Sequence, residues 1–195
     1  MHLRKWALIA VSTLIAPVTA SAVPIVTAGN YNLQPNQPNQ PVSISVTGGD
    51  AVQGVELNAR IGTGLGAIPK FTGGTVITGT IFASNNQGDF GDGVIGNGTS
   101  IPQILNLATA TTGVTTVAAS GLLGTLIIDT TGLNAGTYAL TLSNTENGPT
   151  VLTRPGNIST TTVIDGSITI VPEPATAGLL VLSTGGLLLR RRRFA

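Results

Sequence analysis

Apolar and polar side chains alternate along much of this chain with a period of two, and glycine interrupts the pattern every few residues. Val42, Ile44 and Val46 alternate with Ser43, Ser45 and Thr47, and Val55, Leu57, Ala59 and Ile61 alternate with Glu56, Asn58 and Arg60. A strand sends successive side chains to opposite faces, so this pattern gives each segment one apolar and one wet face. Comparable segments are expected at 75–84, 113–120, 122–129, 137–143, 159–165 and 166–171. A Gly- and Asn-bearing turn joins 122–129 to 137–143, and Asp165-Gly166 joins the last two. Val and Thr suit a pleated surface. Only 101–110, IPQILNLATA, reads equally well as a short helix or a strand. The fold class that follows is all-β, a single β-sandwich over residues 23–171.

Such a sandwich must hold itself together by packing. The 195 residues include no cysteine, and the only tryptophan, Trp6, lies near the N-terminus. Val, Ile, Leu and Ala therefore have to build the core, which a domain of about 150 residues can do. The Pro-, Gln- and Asn-rich stretch 33–41, LQPNQPNQP, reads as a loop within the first connection.

The two ends differ from the middle. Arg4 and Lys5 precede an apolar run from Trp6 to Ala16, then Pro17, then Ala20-Ser21-Ala22. That order is a secretory signal with a small-x-small site for signal peptidase at Ala20 and Ala22, so residues 1–22 are expected to be removed. An uncleaved anchor would need a longer apolar run. At the other end, Pro172-Glu173-Pro174 forms a stiff spacer, residues 175–189 carry no charge, and Arg190, Arg191, Arg192 and Arg193 follow. About 15 residues make a helix of about 22 Å, short for a bilayer. Snorkelling arginine stems help cover the shortfall, and the basic cluster keeps that end in the cytoplasm.

The Pro-Glu-Pro motif, the apolar segment and the arginine run together resemble the PEP-CTERM sorting signal of Gram-negative bacteria. The resemblance covers residues 172–195. It implies processing by an exosortase, a membrane-embedded cysteine transpeptidase-like enzyme. It also implies transient inner-membrane anchoring, then final placement on the cell surface or in an exopolysaccharide-rich matrix.

Between these signals, the order of segments resembles cohesin-like modules. The residues that carry this are VQGVELNARI at 52–61, GTLIIDTTG at 124–132, AGTYALTLSN at 135–144 and DGSITIV at 165–171. The resemblance implies a jelly-roll-like sandwich and leaves any particular partner open.

Charge and residue inventory exclude several functions. Residues 23–171 hold three basic and seven acidic side chains, a net charge of −4 (3 − 7). A mildly acidic domain has no electrostatic footprint for nucleic acid. The one histidine is His2, within the signal, so neither a Ser-His-Asp relay nor a His/Cys zinc site is available. A paired-carboxylate hydrolase remains chemically conceivable but would usually present aromatic platforms. GTGLGA at 62–67 lacks the spacing of a nucleotide loop.

The most concentrated polar stretch is SNNQGDFGDGVIGNGT, 84–99. Asn85, Asp89 and Asp92 supply oxygens suited to Ca²⁺, although Gly91 stands where an EF-hand would place a ligand. The competing reading is that Asn, Asp and Gly are there to form turns. The expectation from sequence is a non-enzymatic exported surface or matrix protein. The alternative is a cohesin-like module that binds a protein or polysaccharide, with no cofactor beyond a weak Ca²⁺ candidate.

Overall fold

The computed structural model describes residues 22–144, 146–158 and 161–172. Most of the expected signal peptide and the sorting segment beyond Pro172 lie outside the described residues. Within them the protein is all-β and contains no helix.

Two sheets pack face to face. The first runs β14 (Thr162–Ile164), β1 (Ile25–Thr27), β3 (Gln40–Thr47), β8 (Gly121–Asp129) and β5 (Lys70–Thr75). The second is built around β4 (Gly54–Ile61). One edge of β4 pairs with β7 (Ile104–Ala110), which pairs in turn with β6 (Gly93–Ile95). Its other edge is shared by β12 (Val151–Arg154), near Gly54, and β9 (Gly136–Thr141), near Ile61. β15 (Gly166–Ile170) and β2 (Asn30–Leu33) extend the sheet beyond β9, and β13 (Asn157–Ile158) flanks β12. β10 (Ser143–Asn144) and β11 (Gly148–Pro149) make a small separate hairpin.

The expected alternation sets the core. Val42, Ile44 and Val46 on β3 meet Leu57, Ala59 and Ile61 on β4, with Leu126 and Ile128 on β8 and Leu105 and Leu107 on β7. Two glycines let the sheets approach. A Cβ at Gly124 would stand 2.8 Å from the Leu57 Cδ2, and one at Gly74 would stand 2.8 Å from the Leu107 Cδ1. Larger residues at these strand positions would push the layers apart.

The chain changes sheet at matching places. β1 passes to β2 through Ala28-Gly29, and β14 passes to β15 through Asp165. The crossings run side by side, with Ala28 N–H donating to the Ile164 carbonyl and Ser167 N–H to the Gly29 carbonyl. A Cβ at Gly166 would overlap the Gly29 oxygen at 1.7 Å, so this crossing requires glycine.

Three sequence expectations change. The ambiguous 101–110 segment is strand from Ile104 onward, pinned between β4 and β6. Residues 75–84 are mostly turns and not a strand. Thr75 Oγ1 accepts from the Ile77 and Thr78 amides, and Thr80 Oγ1 donates to the Val76 carbonyl. Val76 and Phe82 still reach the core from those turns. Residues 113–120 form only a single bridge, Val52 to Val117; the chain turns just before it, with Thr115 Oγ1 donating to the Thr112 carbonyl and Thr111 Oγ1 to the Thr115 carbonyl. Residues 33–41 make a tied loop, with Gln40 bonded to both the amide and the carbonyl of Gln34.

Candidate functional site

Most outward positions of a sandwich are wet, but the outward face of β4 is not. Asn58 is fully buried, and its neighbour Asn106 on β7 is 4% exposed. Asn106 Nδ2 donates to Asn58 Oδ1 at 2.8 Å, and Asn144 Nδ2 donates to the same oxygen at 3.2 Å. The β10–β11 hairpin covers this pair, its Asn147 and Pro149 carbonyls accepting from Asn58 Nδ2. Thr150 Oγ1 accepts from the Asn58 amide and donates to its carbonyl. Asn58, which the alternation of VELNARI assigns to a wet face, and Asn106 are thus the framework for a covering loop.

A second segment covers the other side. The stretch from Asn85 to Asp92 lies along β7. Gln87 N–H donates to the Ala110 carbonyl and Phe90 N–H to the Ala108 carbonyl. Thr109 Oγ1 donates to the Gly88 carbonyl. Gly91 is what permits the close approach, since a Cβ there would lie 2.6 Å from three backbone atoms of residues 106–108. An irregular, charged and glycine-rich cover of this kind also shields a strand edge from pairing with another chain.

The Ca²⁺ candidates sit on this cover, and side-chain oxygens of Asn85 and Asp89 hold backbone. Asn85 Oδ1 accepts from the Thr112 amide and hydroxyl. Asp89 Oδ1 accepts from the Gly91 and Ala108 amides. Asp92 is fastened through its own amide to Asn106 Oδ1. The three are anchored at Thr112, Ala108 and Asn106 respectively, and no group of three or more acidic, His or Cys side chains gathers among the described residues. Of these contacts only the Asp89 to Gly91 bond is local; the others tie the segment across to residues 106–112. Of the expected processing residues, Ala22 and Pro172 are described and exposed; Ala20, Glu173, Pro174 and Arg190 to Arg193 lie outside the described residues.

Between the cover and β12 the sheet is left open as a groove of about 310 Å³. Its floor includes Gly54, Ala108 and Ala110, three small residues on facing positions of β4 and β7. Phe90 and Gln87 form one wall, Thr153 lies opposite, and Glu56 is its one carboxylate. Phe90 is 61% exposed, which is unusual for a ring in a domain with so few aromatics. Glu56 Oε1 accepts from Asn58 Nδ2 at 3.3 Å and from Asn106 Nδ2 at 3.2 Å. The buried asparagine pair therefore also orients the carboxylate.

The sequence singled out the loop bearing Phe90 but not the groove. The groove depends on which residues of β4, β7 and β12 lie side by side, and on the loop folding back over β7. Small outward residues at Gly54, Ala108 and Ala110 were the available signal.

No family model matches the chain, and no curated protein matches it in sequence. Solved structures do resemble it. A non-cellulosomal cohesin from the archaeon Archaeoglobus fulgidus superposes with a TM-score of 0.52 at 18% identity, over 82% of this chain and 97% of that one. The second type II cohesin module of the adaptor ScaA scaffoldin of Acetivibrio cellulolyticus gives 0.50 at 14%, over 80% and 100%. The cohesin of a type I cohesin–dockerin complex from Clostridium thermocellum gives 0.50 at 10%, over 78% and 100%. The chain has the cohesin-like β-sandwich fold.

Proposed function

We propose that this protein is a non-enzymatic binding module, exported from the cell, that holds a protein partner in the groove between β12 and the Phe90 cover. The exposed Phe90 ring above a floor of small residues is the observation that carries this reading. Exposed aromatic anchors beside shallow pockets are where association energy concentrates. The fold supports it: one structure with the same architecture was solved as a cohesin–dockerin complex. The chemistry of the groove argues against hydrolysis, since a paired-carboxylate mechanism needs two acids and Glu56 is the one lining it.

Delivery is the second part of the proposal. A signal peptide ending at Ala22 and a PEP-CTERM-like segment over 172–195 would place the sandwich on the surface or in the surrounding matrix. Signal peptidase and an exosortase-type enzyme would act on the two ends. The support is the order of motifs in the sequence.

Site-directed photocrosslinking in the native host tests the binding surface. A photoreactive residue replacing Phe90 is expected to give a discrete protein adduct, and one replacing the exposed Ser45 on the opposite sheet is expected to give none. Equal labelling from both positions, or none from Phe90, would sink the proposal.

A further inference from the structure

We infer that the groove receives a cationic side chain, a lysine or arginine of the partner, with its charge held between Phe90 and Glu56. The inference rests on the binding-module reading and specifies what the groove reads.

Glu56 is the starting point. It stands on the outward face of β4, partly buried, with Oε1 fixed by the side-chain amides of Asn58 and Asn106. Oε2 has no hydrogen-bond partner among the described residues, and no described cation lies within ion-pair distance. Arg60 is on the same strand and face without pairing to Glu56. Arg154, next to groove residue Thr153, is paired with Asp50 at 2.8 Å. A carboxylate that is oriented, partly desolvated and left without a counter-charge is complementary to a cation from outside.

The rest of the groove fits the same ligand. Its lining contains no basic residue, so an anionic group would meet only Glu56. The small residues Gly54, Ala108 and Ala110 leave room for an unbranched methylene stem to lie along the sheet. Phe90 adds an aromatic ring on the wall, and a cation over such a face is attracted by its quadrupole. The backbone bond from Phe90 to Ala108 and the close seat of Gly91 fix the backbone that carries that ring. Gln87, on the same wall as Phe90, already donates its side-chain amide to the Thr111 carbonyl, and Glu56 is the one charged side chain of the lining. A domain with a net charge of −4 favours the approach of such a partner.

The test uses the ¹⁵N-labelled full chain and two blocked tripeptides, acetyl-Gly-Lys-Gly-amide and its norleucine counterpart. The lysine peptide is expected to shift the amides of Val55, Ala108 and Ala110 saturably, and the norleucine peptide to bind about tenfold more weakly or less. Glu56→Gln keeps an oxygen for Asn58 and Asn106, so the fold should persist while lysine affinity falls about tenfold. Phe90→Ala should weaken it several-fold. Equal binding of the two peptides, unchanged affinity in Glu56→Gln, or shifts confined to other surfaces would overturn the inference. So would a neutral glucan oligosaccharide that occupies the groove more tightly than the lysine peptide. If the lysine probe fails while the Phe90 adduct persists, the binding-module reading stands and the cation is wrong. Loss of both removes the two together.

Discussion

Asn106 donates its side-chain amide to the side-chain oxygen of Asn58 across two adjacent strands, and both residues are buried on a face that alternation alone would leave in water. One bond thereby links the sheet, the β10–β11 cover and the orientation of Glu56. Replacing Asn58 with Ala leaves the amides of Asn106 and Asn144 short of an acceptor, in a site water enters poorly. The expected cost is about 2–3 kcal/mol, read from the urea midpoint at unchanged slope. Asn106→Ala should cost a similar amount, and the double variant should cost less than the sum because the residues share a bond. Strict additivity would mean the network is not cooperative.

Gly91 offers a way to disturb the groove while leaving the core in place. A side chain there would collide with the backbone of residues 106–108, which cannot turn aside as a side-chain tip could. Gly91→Ala is therefore expected to lift the Phe90 segment off β7. Amide exchange should accelerate at Gln87 and Phe90 by at least about tenfold while Val42 and Leu126 stay protected. Uniform loss of protection would show that the cover and the sandwich unfold as one unit.

These two positions also show what the sequence could and could not convey. The β3 alternation and that of β4 from Val55 to Ile61 predicted which residues enter the core, because one buried face imposes period two. The turns at 75–84 were misread as a strand because Val76 and Phe82 are apolar and the neighbouring threonines are good strand formers. What reversed the chain was threonine hydroxyls bonding nearby backbone, a local competition that composition does not rank. The alternation of β4 reads Asn58 as an ordinary wet position, since burial by a loop about 90 residues away in sequence leaves no periodic trace. The oxygens of Asn85 and Asp89 were visible, but which backbone amides they would meet was not.

Tyr31 provides a pH signature. Burial raises its phenol above the usual 10.0, and the hydrogen bond to the Ser43 carbonyl acts in the lowering direction with smaller effect. The folded state therefore keeps the proton to higher pH than the unfolded chain does. Its contribution is fully present below about pH 10 and is lost as pH rises from there through the raised folded value. Tyr31→Phe, which cannot ionise, should flatten the alkaline fall in urea stability over that window even though it lowers the neutral-pH value by losing a hydrogen bond. An unchanged slope above pH 10 would assign the alkaline loss to other groups.

At the two ends of the chain, motif order in the sequence supports processing. β1 starts at Ile25, three residues after the expected signal-peptidase site at Ala22, so cleavage there would leave every strand of the sandwich intact. At the far end β15 finishes at Ile170, two residues before Pro172, and the Val171 amide bonds to the Leu33 carbonyl. A processing enzyme acting at Pro172-Glu173-Pro174 would thus act just beyond the last strand of the sandwich. Pro172→Ala, Glu173→Ala and Pro174→Ala combined should leave the sandwich folded and exported. The unprocessed chain should then be retained in the inner membrane with Arg190 to Arg193 still attached. Intact mass and cell fractionation in the native host read both. Normal release of the triple variant would refute sorting through this motif while leaving the groove and its partner untouched.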